Sequence, residues 1–341
     1  MEKAQAPSFA DLLAALLDFQ ELSPEQMRLV TNEMTQGRDN EVETAALLVA
    51  LRMKGETAGE LAAAAGVLRQ HMVPLETGRA DVLDTCGTGG DGANTFNIST
   101  ATALVAAGAG VPVVKHGNRA VSSKSGSANV LAALGVEVKE DVLWARRCLD
   151  HAGLAFCFAP HFHPALRRVA SVRRRLGIRT LFNCLGPLCN PAGAAYQLIG
   201  VGRPELLDPM AGALARLGAK RALLVCGRDG LDEVSLSAPT LVREVQQGQV
   251  TAQGWSPRDF GLAGCSPAEL IVKSPEESAA VIRAVLDGQD SPAARVVTAN
   301  SAAALLAAER VGTLGEGVAR VTEVLASGQA KAVLERLVAC S

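Results

Sequence analysis

Four glycines lie within the six residues 87–92, which read Gly-Thr-Gly-Gly-Asp-Gly. Glycines allow several backbone N–H groups to converge on an anion at the start of a helix. The side chains of residues 97–100, Asn-Ile-Ser-Thr, would add amide and hydroxyl donors on the following turn. A plain tight turn needs fewer glycines, so the segment predicts a phosphate-binding loop.

Two other phosphate-binding motifs do not fit this loop. Gly87, Gly89 and Gly92 formally match GxGxxG, but the dinucleotide fold also needs an acidic residue about 20 positions later. The next acid after Asp91 is Glu137. The loop also lacks the Gly-Lys-Ser/Thr ending of a Walker motif. What remains is a glycine loop that binds an anion through its backbone.

A second polar segment, residues 115–127, follows the apolar run 111–114 and reads Lys-His-Gly-Asn-Arg-Ala-Val-Ser-Ser-Lys-Ser-Gly-Ser. It offers three permanent cations, one imidazole and four serines, with no acid nearby. Cations neutralise phosphate oxygens, and hydroxyls bind the acceptor sites that remain. A solvated surface loop is the alternative, but such a loop would be expected to mix the two signs of charge.

Adjacent carboxylates return at Asp232 and Glu233, after the apolar run 221–225. In a phosphate-binding protein such a pair suggests Mg²⁺, which takes one or two carboxylates together with substrate oxygens and waters. By itself an Asp-Glu pair is more often a turn or the start of a helix. The magnesium interpretation therefore depends on the two preceding segments.

Five arginines fall on a segment that we expect to be one helix, at positions 167, 168, 173, 174 and 175. They cannot all face one small ligand, because helix neighbours at i and i+1 point apart. One or two are expected to be functional, and the others solvated or paired. His161 and His163 have no cysteine or carboxylate nearby to complete a zinc set, so both are interpreted as structural.

The elements that would position these groups form two blocks. Up to about residue 75 the pattern is helical, with Gly55 placed to end one helix. Capping signals stand at three pairs, Ser23 with Gln26, Asn40 with Glu43, and Thr57 with Glu60. These features predict a small bundle of about four helices.

From residue 79 onward, β-branched runs alternate with Ala-rich helical patterns. Strands are predicted at 81–84, 111–114, 197–201, 221–225 and 241–245, and Phe156 and Phe158 alternate as a buried strand would. Helices are predicted at 205–217, 279–286, 301–308 and 318–325. Such alternation favours an α/β domain with a central, mostly parallel sheet, whose ligands lie beyond the carboxyl ends of its strands. We therefore expect a small N-terminal helical domain over 1–78 and a large α/β domain over 79–341.

Charge is distributed unevenly along the chain. The formal net charge is -2, which argues against a globally basic nucleic-acid binder. Yet residues 92–136 and 151–204, here called the acid-free windows, contain ten Lys or Arg and not one Asp or Glu. If the windows meet in the fold, they form a pocket for a strongly anionic ligand. The alternative is two basic surface faces.

Cysteine use and hydropathy indicate a cytoplasmic protein. The eight cysteines include no CxxC pair and follow no secretory leader, so reduced, buried thiols are expected. The longest weakly polar run, 101–114, is shorter than the roughly 20 residues that span a bilayer. We expect neither a membrane segment nor export.

Taken together, five ordered motifs closely resemble the anthranilate phosphoribosyltransferase family, and the resemblance covers nearly the whole chain. The motifs are 84–92, 95–100, 115–127, 179–183 with 186–191, and 232–233. The resemblance implies the nucleoside phosphorylase-like phosphoribosyltransferase fold, with a helical insertion at about 173–190 that packs on the helical domain. It also implies a homodimer formed through the helical domain.

In that family, the amine of anthranilate is joined to C1 of phosphoribosyl pyrophosphate (PRPP), which releases pyrophosphate in tryptophan biosynthesis. Such a displacement should pass through an oxocarbenium-like transition state, so catalysis would be mostly electrostatic and positional. An aromatic amine is already neutral at pH 7. We therefore assign no general base, and His116 is a weak candidate at most.

The resemblance also implies individual roles. PRPP would be held by Gly87, Gly90, Asp91, Thr95, Asn97, Ile98, Ser99, Thr100, Lys115, His116, Gly117, Asn118, Arg119, Ala120, Val121, Ser122, Ser123 and Ser127. Anthranilate would contact Gly87, Asn118 and Arg173. Two Mg²⁺ ions would be held by Ser99, Asp232 and Glu233. Lys115 and Arg173 would be the catalytic residues.

Two departures and two rival functions accompany the resemblance. Asn129 and Cys189 differ from the usual family residues, and both are interpreted as variations in packing. A pyrimidine nucleoside phosphorylase of the same fold would use inorganic phosphate, but its expected Lys-Ser-Gly-Arg signature is absent. A nucleic-acid binder could use the basic windows, but only 11 aromatic residues are available for base stacking. We expect small-molecule substrates and no nucleic-acid partner.

Overall fold

The computed structural model describes residues 7–37, 40–118 and 126–341. Its N-terminal part is a helical bundle of α1 (Phe9–Leu17), α2 (Pro24–Gln36), α3 (Glu41–Lys54) and α4 (Ala58–His71). Each helix begins at a capping box, in which two side chains satisfy backbone N–H groups of the first turn. Gly55 ends α3. The predicted bundle and its capping signals are confirmed.

The described residues also form one seven-stranded sheet, in the order β3-β2-β1-β4-β5-β6-β7. The strands are β1 (Leu83–Gly87), β2 (Val113–Gly117), β3 (Leu154–Phe158), β4 (Tyr196–Gly200), β5 (Arg221–Gly227), β6 (Thr240–Gln246) and β7 (Gln249–Trp255). Neighbours among β1 to β5 pair in parallel, and β6 and β7 extend the sheet in antiparallel fashion. The predicted α/β architecture with a mostly parallel sheet is confirmed.

Strand boundaries and the last hairpin differ from the sequence prediction. The sequence places β1 and β2 too early, because the buried polar residues Thr85, Lys115 and His116 look like loop residues. β7 is missing from the prediction, since six of its seven residues are exposed and show no apolar alternation. A tight turn at Gln247 and Gly248, both with positive φ, joins it to β6.

Eleven further helices occur in the described part of the α/β region. They are α5 (Ile98–Gly108), α6 (Ser127–Ala133), α7 (Val142–Ala152), α8 (Ala159–Phe162), α9 (Ala170–Leu176), α10 (Leu181–Leu188), α11 (Leu207–Arg216), α12 (Pro275–Leu286), α13 (Pro292–Ala307), α14 (Leu314–Ala326) and α15 (Gln329–Ala339). The single arginine-bearing helix expected over 167–175 is wrong. Arg167 ends a short 3₁₀ turn, and α9 starts only at Ala170.

Hydrophobic cores lie on both faces of the sheet. Leu223 and Leu224 are neighbours on β5 and point into different cores, as side chains of a strand alternate between faces. One core packs α5 and α13 against the sheet. The other joins the helical bundle, α9, α10 and α11 to the opposite face. The segment that carries α9 and α10 therefore lies between the bundle and the carboxyl edge of the sheet.

Within the described ranges, every helix is too short or too polar to cross a lipid bilayer.

Candidate active site

A cleft of about 340 Å³ opens at the carboxyl edge of the sheet. β1 lies between β2 and β4 there, so the strand order reverses, and ligands of open α/β sheets bind at such points. Ser127 from the first acid-free window and Arg173 from the second both line the cleft. The windows therefore meet in one pocket, as the first of the two interpretations of their charge requires.

The glycine loop follows β1 and is anchored to the end of β4. The Thr88 N–H donates to the carbonyl oxygen of Gly200 over 2.8 Å, and the Thr88 hydroxyl accepts from the Gly202 N–H over 3.0 Å. Gly89 and Gly90 have φ of +63° and +74°, a region that other residues rarely adopt. The loop thus depends on glycine and presents its peptide groups to the cleft.

A close approach of two backbones explains the glycine that ends β4. A Cβ atom at Gly200 would lie 1.6 Å from the carbonyl oxygen of Asp232. Any side chain there would push the loop after β5 away from the sheet. Gly200 therefore allows Asp232 and Glu233 to reach the cleft beside the glycine loop.

The first turn of α5 supplies the predicted hydroxyl and amide groups. Asn97 is the N-cap, and its side chain accepts a hydrogen bond from the Thr100 N–H over 3.0 Å. Thr95, which pairs with Ile271 in an isolated bridge, precedes this turn. Ser99 lines the cleft within it. A helix N-terminus with such donors favours an anionic ligand.

Lys115 is a buried cation in the middle of β2, with only 3% of its surface exposed. Its ammonium donates to the carbonyl oxygen of Thr85 and, over 3.0 Å, to the hydroxyl of Ser99. Burial lowers the pKa of Lys115, while the nearby carboxylates of Asp84 and Glu233 raise it. A charge with so little water around it acts strongly on a neighbouring anion.

His116 and His163 lie side by side in the wall of the cleft, with ring centroids 4.9 Å apart. Nδ1 of His116 donates to the carbonyl oxygen of Gly186 over 3.0 Å, since a carbonyl can only accept. Burial, reinforced by His163, lowers the pKa of His116 to about 3. Burial also lowers the pKa of His163 to about 4. Both rings are therefore neutral at pH 7, and His163 belongs to the site although its sequence context suggests a purely structural role.

Asp232 and Glu233 lie beside Asp91 of the glycine loop. The Asp232 N–H donates to Oδ2 of Asp91 over 3.5 Å. Burial, together with the charge of Asp91, raises the pKa of Asp232 to about 7. Burial and the charge of Asp232 raise the pKa of Glu233 well above its usual value. Carboxylates crowded in this way resist ionising together, and a bound cation relieves the repulsion.

The donors at this point fit Mg²⁺. The Ser99 hydroxyl adds a third oxygen, and its backbone N–H donates to the Glu233 carboxylate. Across the described residues, there is no group of three or more His, Cys, Asp or Glu side chains placed to hold a metal ion. Mg²⁺ does not require one, because it usually binds through one or two carboxylates plus substrate oxygens.

Arg173 lies on α9, and its guanidinium carbon is 5.5 Å from the ring centroid of Phe182 on α10. Burial lowers the pKa of Arg173, although a guanidinium stays charged at neutral pH. Its neighbours Arg174 and Arg175 are exposed, and Arg175 pairs with Glu41 over 2.7 Å. One arginine of the run therefore faces the cleft while its neighbours lie on the surface, as helix spacing predicts.

The structure brings most of the predicted site residues together. The cleft is lined by Gly87, Gly90, Asp91, Thr95, Asn97, Ile98, Ser99, Lys115, His116, Gly117, Asn118, Ser127, Arg173, Asp232 and Glu233. Thr100 is the exception among the described ones, because its side chain is buried and does not line the cleft. Arg119, Ala120, Val121, Ser122 and Ser123 lie outside the described residues.

Sequence reasoning assigned no role to several other lining residues. Arg179 and Phe182 lie inside the motif 179–183, which supports the family resemblance. Their position in this motif is the signal in the sequence that could have identified them. Leu68 on α4 has no local signal, since it reaches the cleft only because the bundle packs there. Cys189, interpreted as a packing variation, also lines the wall, and its thiol donates to the carbonyl oxygen of Ala65 over 3.7 Å.

Comparisons with known proteins cover the whole architecture. Residues 79–331 match the glycosyl transferase family α/β domain, and residues 10–72 match the helical bundle domain of the glycosyl transferase family. The chain is 46% identical over 327 residues to the anthranilate phosphoribosyltransferase of Laribacter hongkongensis, with 96% of each chain covered.

Solved structures of anthranilate phosphoribosyltransferases are similar to this chain over nearly its whole length. The anthranilate phosphoribosyltransferase of Thermus thermophilus superposes with a TM-score of 0.90 at 44% identity, covering 97% of this chain and 99% of that one. The Saccharomyces cerevisiae enzyme in complex with PRPP and Mg gives a TM-score of 0.87 at 29% identity, covering 98% of each chain. The same yeast enzyme in complex with 4-fluoroanthranilate gives 0.85 at 28% identity, with 98% of each chain covered.

Proposed function

Because the chain belongs to the anthranilate phosphoribosyltransferase family, we propose that its cleft transfers the 5-phosphoribosyl group of PRPP to the amine of anthranilate. The products are N-(5-phosphoribosyl)anthranilate and pyrophosphate, and the reaction serves tryptophan biosynthesis. One observation carries this proposal. The glycine loop, buried Lys115 and the Asp232-Glu233 pair converge on a single cleft that also contains Arg173.

Three elements would surround PRPP. The glycine loop offers backbone N–H groups at Gly87 and Gly90, and the first turn of α5 offers the side-chain amide of Asn97 and the hydroxyl of Ser99 at a helix N-terminus. The segment after β2 adds His116, Gly117, Asn118 and Ser127. On the family resemblance alone, residues 119–123 would also bind PRPP. Together these groups suit a ligand with several phosphate oxygens.

Two Mg²⁺ ions would be held by Ser99, Asp232 and Glu233. When bound, Mg²⁺ would neutralise the pyrophosphate and stabilise the charge that it gains as it leaves. The raised pKa values of Asp232 and Glu233 support a cation site here, because a bound cation would stabilise the ionised form of both carboxylates. Asp91, which accepts from the N–H groups of Ala93 and Asp232, is placed to accept from a ribose hydroxyl or a metal-bound water.

The chemistry needs stabilised charge more than proton transfer. Lys115 would stabilise the departing pyrophosphate, because it is a desolvated cation beside the phosphate-binding turn. Asn118 and Arg173 would orient anthranilate, with Arg173 contacting the carboxylate. His116 is a weak base, because its pKa is about 3 and its Nδ1 proton donates to the carbonyl oxygen of Gly186, so we assign no general base. The aromatic amine does not need one.

A homodimer would form through the helical domain. Val42, Ala46, Val49 and Met53 follow one stripe along α3, at spacings of four, three and four residues. Val42 and Met53 are 78% and 69% exposed, which is unusual for apolar side chains on one helix face. A second copy would cover this stripe in a self-complementary contact. Residues 1–78 would then act as the dimerisation domain and residues 79–341 as the catalytic domain.

The protein would be located in the cytoplasm. Its eight cysteines are free thiols, which is the state expected in a reducing compartment.

Loss of anthranilate fluorescence tests this function directly. The protein, PRPP and Mg²⁺ should consume anthranilate, and chelation of the metal or the double substitution Asp232→Asn/Glu233→Gln should stop the loss. Inorganic phosphate with a pyrimidine nucleoside tests the phosphorylase alternative in a parallel reaction. A protein that consumes no anthranilate, but binds single-stranded DNA in a salt-sensitive manner, would contradict the proposal.

A further inference from the structure

Arg179 lines the cleft but has no role assigned from the sequence, and its contacts are unlike those of Lys115 and Arg173. It lies between α9 and α10 and is half-buried at the edge of the cleft. Nη2 donates to the carbonyl oxygen of Thr88 over 2.8 Å, and Nη1 donates to the carbonyl oxygen of Gly89. The guanidinium therefore binds two successive peptide carbonyls of the glycine loop, and we call this pair of hydrogen bonds the Arg179 grip.

This grip determines where the loop presents its N–H groups. In a planar trans peptide, the N–H points away from the C=O that precedes it. With the Thr88 and Gly89 carbonyls turned toward Arg179, the N–H groups of Gly89 and Gly90 must point the opposite way. The Gly89 N–H indeed donates to the carboxylate of Asp232, which is one of the proposed metal ligands.

The guanidinium and the loop are also fitted to each other sterically. A Cβ atom at Gly90 would lie 1.3 Å from Nη1 of Arg179, so only glycine leaves room for this contact. On the other side, Gly202 passes beneath the loop, where a Cβ would come within 3.0 Å of the Gly89 carbonyl oxygen. The loop is thus held between the guanidinium and the residues that follow β4.

We propose that Arg179 is a positioning residue for PRPP binding: its guanidinium fixes the Thr88 and Gly89 carbonyls so that the loop N–H groups face the pyrophosphate and the metal carboxylates. It acts through the loop and not as a ligand of the substrate. Its Nε is buried and does not reach the open cleft, and its two terminal nitrogens are engaged by the loop. This inference rests on the proposed function of the cleft.

Two substitutions of Arg179 test whether its paired hydrogen bonds to the loop carbonyls matter or only its positive charge. Arg179→Lys keeps the charge but loses the planar fork that spans two carbonyls, and Arg179→Gln loses both. Both should raise the KM for PRPP by about ten-fold or more, while the KM for anthranilate at saturating PRPP stays within about two-fold. Arg175→Gln, which replaces an exposed arginine near the end of α9, is the matched control and should leave both constants unchanged.

Hydrogen exchange of the substrate-free protein provides a readout that does not depend on turnover. The amides of Gly89 and Gly90 should exchange faster in both Arg179 variants than in the wild type and in Arg175→Gln. A Lys variant with a nearly normal KM for PRPP, or unchanged exchange in the loop, would overturn the proposal. If the wild type does not use PRPP, the proposed function of the cleft is refuted instead. The exchange rates would still show whether Arg179 fixes the loop.

Gly90→Ala approaches the same contact from the loop and covers the case in which an Arg179 variant folds poorly. The new methyl group would displace the guanidinium, so this variant should reproduce the higher KM for PRPP. Because one contact is then lost twice, the double variant Gly90→Ala/Arg179→Gln should be no more than about two-fold worse than Gly90→Ala alone. Fully multiplicative effects would show that the two residues act independently and would overturn the proposal.

Discussion

The ammonium of Lys115 lies 3.0 Å from the hydroxyl of Ser99, so β2 and the first turn of α5 meet at this hydrogen bond. Ser99 also donates its backbone N–H to Glu233, and the positive charge of Lys115 opposes the rise in the pKa of that carboxyl. A cation, a hydroxyl and a carboxylate are therefore held in one arrangement by the protein's own hydrogen bonds. Such preorganisation is what electrostatic catalysis requires.

Lys115→Met should reduce kcat/KM for PRPP on the order of 10²-fold, because the departing pyrophosphate loses a desolvated cation. The Mg²⁺ concentration needed for half-maximal activity should also increase, since Glu233 loses a neighbouring positive charge. Steady-state kinetics with PRPP and Mg²⁺ titrations would measure both effects. Lys331→Met, which removes an exposed lysine paired with Asp287, is the control and should leave them unchanged. Normal activity in Lys115→Met would remove this lysine from the mechanism.

Arg173→Ala should raise the KM for anthranilate about 10- to 100-fold, the effect of losing a hydrogen bond to a charged group. PRPP binding should change little, because Arg173 lies on α9, whereas the proposed phosphate-binding groups lie on the glycine loop, α5 and the segment after β2. Titration of each substrate at saturating levels of the other would separate the two effects. Arg174→Ala is a closely matched control, since the neighbouring arginine is exposed. Equal losses for both substrates would place Arg173 outside the acceptor site.

The pKa of His163, about 4 in the folded chain, makes the fold sensitive to acid. An unfolded histidine has a pKa of about 6.5, so between these values the unfolded chain binds a proton that the folded chain excludes. The free energy of unfolding should therefore fall as the pH decreases, by about 1.4 kcal/mol per pH unit for this group. His163→Gln should flatten the slope by that amount in urea titrations from about pH 6.5 to pH 4. The control is His151→Gln, at an exposed helix end, which should leave the slope unchanged. Identical slopes in the two variants would show that His163 does not cause the loss of stability in acid.

Local signals predicted the local structure well. The capping boxes of α2, α3 and α4 depend on residues three positions apart, so each can be identified from a few letters. The glycine loop is similar, because its positive φ angles restrict the residue type wherever they occur. These features therefore required no knowledge of the tertiary fold.

Features that arise from distant packing were not predictable in the same way. Thr85 and Lys115 look like loop residues until the sheet buries them, which is why the first strands were placed too early. Arg179 reaches the glycine loop across 90 residues of sequence, and Leu68 enters the cleft from the helical bundle. No spacing rule connects such positions. Only the folded chain shows that they meet.

The exposed stripe on α3 gives a prediction about assembly. Replacing Val42 and Met53 together by lysine should shift the protein toward monomer, because two like charges would face each other across a self-complementary contact. Light scattering after gel filtration would measure the mass. Leu143→Lys provides the control, since Leu143 is 77% exposed on α7 of the α/β region. A monomeric wild type, or a dimer unaffected by the α3 substitutions, would rule out this surface.

Gly200→Ala tests the approach of the loop after β5 to the end of β4. The added methyl group would meet the Asp232 carbonyl oxygen at 1.6 Å, and this backbone atom cannot move aside as the end of a flexible side chain could. We expect a loss of about 1–3 kcal/mol in the free energy of unfolding, together with a higher Mg²⁺ requirement as Asp232 moves. Gly66→Ala is the control, because the described residues leave open space at that position in α4. An alanine there should stabilise the helix by about 0.5–1 kcal/mol. If Gly200→Ala folded with wild-type stability and bound Mg²⁺ normally, the two backbones could not lie as close as the structure shows.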